Sequence, residues 1–217
     1  MRPDLRLERG LRRRGYRTIA GVDEAGRGAW AGPLVAAAVV LPDRAGLPYV
    51  DSKTVAAAAR ERLAAHVRAT ALAWAVGEAS SAEVDEIGPL GATHLAAHRA
   101  IAALALVPDA YVTDYLQLRF VGFPAPEVLA PPRADATSLS VAAASLVAKT
   151  HRDARMRAAA VDWPSYGFEC HKGYGVPAHR AALQRWGPCP WHRRSYRPVA
   201  ELVTRSVRGA DAEEGTA

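Results

Sequence analysis

The sequence predicts a mixed α/β fold, one sheet with a helical C-terminal part. Three observations predict it. Short valine- and alanine-rich stretches bounded by glycine and proline open the chain, as strands do. Stretches of helical and strand period then alternate up to about residue 129. From Ser138 onward the pattern is helical, broken only by glycine- and proline-marked loops.

The elements follow in order. Residues 17–22 form a short apolar stretch that ends in the pair Asp23-Glu24, and Gly26, Gly28 and Gly32 then read as a tight turn. Residues 33–41 read as a second strand, closed by Pro42. Ser52 reads as the cap of a helix over about 54–68, with Leu63 and Val67 on one face. A third strand is expected over 71–76. Ser80 or Ser81 opens a short acidic helix that stops near Gly88-Pro89, and a longer helix covers about 91–106. Strands are expected over 110–114 and 127–129, the latter ahead of Pro131-Pro132. A helix from 138 to about 160 carries Val141, Ala144, Ser145, Ala148 and Arg152 at helical spacing. A loop at 173–175 and a helix over 178–186 follow, then an irregular proline-marked segment.

Composition narrows the class. Half of the 217 residues are hydrophobic, which excludes disorder throughout and allows one large domain or a domain with a small appendage. No apolar run reaches the ~18 residues of a membrane span, and the arginine-rich start is not followed by the apolar core of a secretory signal. Neither is therefore expected. The two cysteines, Cys170 and Cys189, fit a reducing, cytoplasmic setting better than a disulfide scaffold. Residues 209–217 are small and acidic and read as a disordered tail.

The net charge of +6 is unevenly spread. Residues 1–20 hold seven arginines against two acids, and residues 148–208 hold 12 basic residues against four acids. Between them, residues 21–147 hold 9 basic and 13 acidic residues. Basic flanks around an acidic middle suit a polyanionic partner. A merely solvated arginine surface is the other reading.

The chemistry concentrates at strand ends. Asp23 and Glu24 end the first expected strand, and Asp114 ends the later one. Carboxylates just past apolar strands are costly to desolvate unless they stay wet or meet a cation. Three converging ones suit a hard divalent ion such as Mg²⁺ or Mn²⁺. Asp23 and Glu24 point to opposite faces of a regular strand, so serving one site requires a bend, which Gly26 and Gly28 permit. Taken singly, each acid also reads as a turn or cap residue. Asp135 reads either as the cap of the following helix or as a fourth acid, and Asp153 as an ion-pairing residue.

Gly26-Arg27-Gly28 can bring backbone N–H groups and a guanidinium to a phosphate or sugar hydroxyl, or can be an ordinary glycine turn. His171-Lys172-Gly173-Tyr174-Gly175 is a basic loop whose aromatic ring can stack on a base or sugar, or pack beside the turn. Trp186, Trp191, His192, Arg193, Arg194 and Tyr196 extend that basic-aromatic composition. Cys170, His171, Cys189 and His192 make an awkward zinc set, because the adjacent Cys170-His171 pair suits a tetrahedral site poorly. No Walker loop and no G-x-S-x-G elbow occurs.

Together these residues carry a resemblance. Gly21-Val-Asp-Glu-Ala-Gly-Arg-Gly28 followed by Ala31-Gly-Pro33 looks like the opening motif of the type 2 ribonucleases H, specifically the bacterial ribonuclease HII family. Asp51-Ser-Lys53, Ala142 to Lys149 through Arg152-Asp153, His171 to Gly175, and His192-Arg-Arg-Ser195 agree with it in order and spacing, from about residue 17 to 198. The resemblance implies a ribonuclease H-like fold, a mixed five-stranded sheet flanked by helices, as one domain over 1–208 whose helical substrate-binding part spans about 160–208. It implies endonucleolytic hydrolysis of RNA in RNA–DNA hybrids and cleavage 5′ of single ribonucleotides in duplex DNA, leaving a 3′-hydroxyl and a 5′-phosphate.

By the same resemblance Asp23, Glu24, Asp114 and Asp135 are catalytic and metal-binding, with Mg²⁺ or Mn²⁺ in a two-metal mechanism. Gly26, Arg27 and Gly28 match the turn that reads the 2′-hydroxyl, and Tyr174 the tyrosine that packs on the sugar at the junction. Lys53, Lys149 and Lys172, the chain's three lysines, fall in substrate-facing blocks. The implied protein is a cytoplasmic monomer that binds RNA–DNA hybrid or ribonucleotide-containing duplex DNA and no membrane. Three positions depart from the family pattern: Tyr115 stands where glycine is usual and is expected to crowd the strand end, Arg133-Ala134 replaces Lys-Gly, and Val176 replaces threonine. The alternatives are a hybrid nuclease that needs several consecutive ribonucleotides, and a nucleic-acid-binding module with a decayed metal site.

Overall fold

The computed structural model describes residues 2–44, 46–120 and 125–202. The expected tail at 209–217 lies outside them. The described residues divide into two compact units. The first takes residues up to 25 together with 35–78 and 93–151, and the second takes 26–34, 79–92 and the chain from 152 on.

The chain order is α1 (Arg6–Arg13), β1 (Ile19–Ala25), β2 (Leu34–Val40), α2 (Ala57–Thr70), β3 (Ala73–Ala79), α3 (Ser81–Ala102), β4 (Ala110–Thr113), β5 (Glu127–Leu129), α4 (Leu139–Asp162), α5 (Phe168–His171) and α6 (Pro177–Trp186). The five strands form one sheet in the order β3-β2-β1-β4-β5. β1 pairs antiparallel with β2 and parallel with β4, and β4 pairs parallel with β5, so the sheet is mixed.

Two apolar clusters hold this sheet in the first unit. Val35, Ala37 and Val39, alternate residues of β2 and so on one face, pack with Ala64 and Val67 of α2 and with the buried run Ala142–Ala148 of α4. Ile19 of β1 and Ala110 and Val112 of β4 pack with Leu11 of α1 and Val141 of α4. β1 and α4 approach so closely at Gly21 that a Cβ there would overlap the Ser140 backbone. That contact sets which residue of β1 can be only glycine. The second unit has its own core around Met156, Tyr166, Phe168, Leu183 and Val199.

Several expectations need correction. The arginine-rich start folds as α1, although its charge hid the amphipathic pattern: only Glu8 and Leu11 of that helix are buried. β1 starts at Ile19, two residues later than expected, and runs through Asp23 and Glu24 to Ala25, one residue past its expected end. Ser52 caps no α-helix. Asp51 caps the single 3₁₀ turn Ser52–Thr54, while the buried Ser52 hydroxyl bonds to that of Ser145 at 2.9 Å. The acidic helix and its successor form one element, α3, broken at Gly88, which takes a left-handed φ of 73° ahead of Pro89. Its start is a capping box: the Glu83 N–H donates to the Ser80 hydroxyl and the Ser80 N–H to Glu83 Oε2.

Candidate active site

In β1 the ladder with β2 keeps one-to-one register through Asp23↔Ala37 and Glu24↔Ala36, so no extra residue is inserted beside the two acids. In the parallel ladder with β4, Val22 lies beside Thr113, which makes Asp23 and Asp114 the next residues of adjacent strands. Asp23 is buried. Its carboxylate accepts from the Ser145 hydroxyl of α4 and from the Glu24 backbone, yet burial and the nearby charges of Glu24 and Asp135 hold its pKa well above the usual value. Like charges crowded at a buried acid favour the binding of a cation between them.

Asp135 sits on the 3₁₀ turn Ala134–Ala136 and is buried. It does not cap α4. Ser138 does, with its hydroxyl accepting the Val141 N–H at 3.2 Å. Lys53 Nζ donates to Asp135 Oδ2 at 2.9 Å, and this bond, against some loss from burial, raises the Lys53 pKa. Asp114 Oδ1 accepts the Ala134 N–H at 3.0 Å, tying the end of β4 to the turn that carries Asp135. A depression of about 590 Å³ is lined by Asp51, Lys53, Asp114, Arg133 and Asp135. Arg133 has a left-handed φ of 59°. Tyr115, also left-handed at φ 58°, is 77% exposed and does not crowd the strand end. Glycine takes that backbone conformation without strain, a physical reason for it at this position.

The donor set fits a hard divalent cation, since every ligand atom is a carboxylate oxygen and one acid is buried beside two others. As placed, no three such side chains among the described residues converge closely enough to hold an ion. One of them, Asp135, is paired with the Lys53 ammonium. Lys149 lies half-buried on α4.

In the second unit Gly26 is buried while Arg27 and Gly28 are exposed. Gly26 takes a left-handed φ of 92°, and a Cβ there would collide with the Arg152 guanidinium. Two fully buried arginines hold the segment from beneath. Arg193 donates through Nη1 to the carbonyls of Gly26 (2.8 Å) and Arg27 (3.1 Å), and through Nε and Nη2 to that of Gly32. Arg152 donates to Pro33, Ala31 and Lys172, each at 2.9 Å. Burial lowers both pKa values, that of Arg152 to about 10, so Arg152 stays charged at neutral pH.

The loop at 171–175 is stitched to the same segment. Trp30 and Ala31 donate to the Gly173 carbonyl, Gly32 donates to that of Trp191, and Ala31 bridges His192. The Tyr174 ring is half-buried under Arg152, 5.2 Å from the guanidinium carbon to the ring centre. Lys172 takes a left-handed φ of 54°, and its ammonium folds back on the carbonyls of Glu169 and Cys170. Arg193 and His192, two residues of the basic-aromatic segment, are both buried. The two buried arginines are what sequence reasoning missed. The one signal available was a glycine-rich turn of inward carbonyls, which needs donors, in a chain otherwise poor in lysine. Cys170 is exposed, whereas Cys189 is buried with its sulfur 3.2 Å from His192 Nδ1.

Comparison with known proteins agrees with the family that the sequence motifs resemble. The family model for ribonuclease HII matches residues 20–199. The ribonuclease HII of a Thermus thermophilus strain is 53% identical over 188 residues, 86% of this chain and 90% of that protein. The ribonuclease HII of Chloroflexus aggregans is 47% identical, over 94% of this chain and 97% of that protein. Among solved structures, ribonuclease H2 of Pyrococcus horikoshii OT3 is similar at TM-score 0.72 and 24% identity, over 87% of this chain and 98% of that one. Bst-RNase HIII, solved in complex with Mn²⁺, is similar at TM-score 0.64 and 18% identity, over 88% of this chain and 70% of that one. Those two likenesses concern the fold. On the family model and the close relatives, the chain belongs to the ribonuclease HII family of endoribonucleases.

Proposed function

We propose that this chain is a divalent-cation-dependent endonuclease that hydrolyses RNA in RNA–DNA hybrids and cuts 5′ of single ribonucleotides in duplex DNA. The products would be a 3′-hydroxyl and a 5′-phosphate. One observation carries the reading: Asp23, Glu24 and Asp135 share one electrostatic field, and Asp114 lines the same depression as Asp135. Divalent cations, Mg²⁺ or Mn²⁺, bound by these four acids supply Lewis-acid polarisation of the scissile phosphate and a more acidic water.

The chain's own residues do the rest. The Ser145 hydroxyl and the Glu24 N–H orient the Asp23 carboxylate. Lys53 holds Asp135 and adds positive charge where a phosphate would lie. The Gly26-Arg27-Gly28 turn, its carbonyls drawn inward, presents Arg27 and the exposed Gly28 backbone to a sugar-phosphate. The 2′-hydroxyl is the group that tells RNA from DNA there. Tyr174 packs on the neighbouring sugar, and Lys149 and Lys172 add positive charge along the duplex. We read the enzyme as a monomer acting in the cytoplasm. The test compares a duplex with one ribonucleotide against one with four in a row, in Mg²⁺, Mn²⁺ and EDTA. Cleavage of both with either ion and of neither in EDTA is expected. Cutting only the run of four would refute single-ribonucleotide recognition, and no cutting with either ion would refute the nuclease reading.

A further inference from the structure

Three histidines, His171, His179 and His192, gather in the second unit beside Tyr174. The His171 and His179 rings stack 4.4 Å apart, and His179 Nε2 lies 3.0 Å from His192 Nε2. Their partners fix where every proton sits. His179 Nδ1 is 3.0 Å from the Tyr174 carbonyl, which can only accept, so His179 carries its proton on Nδ1. His179 Nε2 is then an acceptor, and His192 must donate to it from Nε2. That leaves His192 Nδ1 as an acceptor, and the Cys189 N–H meets it at 3.0 Å, with the Cys189 sulfur at 3.2 Å and the Cys189 carbonyl farther off at 3.3 Å. His171 follows the same logic: Nδ1 accepts the Gly173 N–H at 3.1 Å, and Nε2 donates to the Tyr166 carbonyl at 2.7 Å. Each ring is therefore neutral with one tautomer, and the bonds run in one direction, from Cys189 through His192 and His179 to Tyr174.

We infer that the His192–His179 relay is a positioning device for Tyr174, setting the backbone from which its ring meets the substrate. His171 grips the residue before, through both the Gly173 N–H and its own carbonyl, which accepts the Tyr174 N–H at 3.0 Å. The relay grips the residue's carbonyl, and Arg152 covers the ring. A side chain held on three sides loses less freedom on binding, so its contact is worth more. Burial agrees with neutral rings, since it pushes the pKa of His179 and His192 down to about 4. This inference rests on the reading that Tyr174 contacts the substrate.

Two measurements test it. Long-range ¹H–¹⁵N spectra of the intact protein should show His179 protonated on Nδ1 and His192 and His171 on Nε2. Any other tautomer at His179 or His192 overturns the relay, with no variant needed. Kinetics on a duplex with one ribonucleotide then compare His179→Phe, which removes the donor, with His179→Asn, whose amide keeps one near the Nδ1 position. His179→Phe should lower kcat/KM about tenfold, and Asn should restore most of it. In a Tyr174→Ala background His179→Phe should cost nothing further. An equal loss in both backgrounds would make the histidine merely structural and overturn the inference. Should His179→Phe fail to fold, His192→Leu against His192→Gln asks the same question one link back. Tyr174→Ala at the wild-type rate would instead refute the reading of Tyr174 itself.

Discussion

Lys53 Nζ lies 2.9 Å from Asp135 Oδ2, so a mostly exposed ammonium is bound to a buried acid of the candidate catalytic set. Exposure on the lysine side limits what the pair adds to stability to at most about 1 kcal/mol. Its larger effect is on charge, because the ammonium offsets repulsion that Asp23 feels from Asp135 and Glu24. Lys53→Met should therefore leave denaturant stability within about 1 kcal/mol of wild type. By isothermal titration without substrate, it should bind Mn²⁺ more tightly. Weaker Mn²⁺ binding would show that Lys53 orients Asp135 for the ion rather than competing with it.

Arg193 uses all three guanidinium nitrogens, on the carbonyls of Gly26, Arg27 and Gly32 and on the Tyr196 hydroxyl. Lysine brings a single point charge to a site built for a planar fork. Arg193→Lys should cost about 2–4 kcal/mol of unfolding free energy, because buried carbonyls are left unpaired. Among molecules still folded, it should lower the preference for a ribonucleotide-containing duplex over all-DNA duplex in a binding assay. Unchanged stability and preference would remove Arg193 from any role in shaping the turn.

Glu8 of α1 is buried, and its Oε1 accepts from the Ser138 hydroxyl (2.6 Å), the Ser140 hydroxyl (2.6 Å) and the Ser140 N–H (3.0 Å). It thus supplies negative charge and an acceptor at the start of α4. Glu8→Ala should destabilise the protein by about 2–3 kcal/mol, the cost of stranding several buried donors. Thermal and urea denaturation measure it directly. A loss below about 0.5 kcal/mol, the range of an ordinary surface change, would contradict that role.

The buried histidines make stability depend on pH in a defined window. His179 and His192 bind a proton in the folded chain only near pH 4, whereas in the unfolded chain they do so near the ordinary value of 6.5. Between those values the unfolded state holds more protons, so stability is full above about pH 6.5 and falls toward pH 4. Each ring contributes on the order of 3 kcal/mol across that window. His171, Arg194, Tyr166 and the Cys189 thiol face the pair, and none supplies the negative charge that would reverse the sign. The stability of wild type relative to the variant His179→Asn, His192→Gln should fall as pH drops from 7 to 4.5. A constant difference would show that the rings do not titrate with folding.

Much of the sheet was legible because its strands are short apolar runs punctuated by glycine and proline; the strand Glu127–Leu129 matches its expectation residue for residue. α4 was legible from the spacing of Val141, Ala144, Ser145, Ala148 and Arg152, all of them buried. α1 was not, because it buries one carboxylate and one leucine, Glu8 and Leu11, in place of a full apolar stripe. Local pattern left Asp135 open between cap and acid. The structure gives the cap to Ser138, and Lys53 reaches Asp135 from 82 residues away, a contact no local pattern shows. The inward turn of Arg152 and Arg193 was hidden for the opposite reason. In a sequence with so many arginines, the two that are wholly buried look like all the others.

Cutting by the proposed enzyme depends first on Asp23, the buried acid whose pKa Glu24 and Asp135 help to raise. The most direct measurement is cleavage of a duplex with one ribonucleotide by wild type and by Asp23→Asn, with binding to the same duplex measured in parallel. Wild type should nick 5′ of the ribonucleotide in Mg²⁺ or Mn²⁺. Asp23→Asn should keep its binding and lose about two to three orders of magnitude in rate, the scale of a lost charge-stabilising group at a catalytic centre. A nearly wild-type rate from Asp23→Asn would contradict the account.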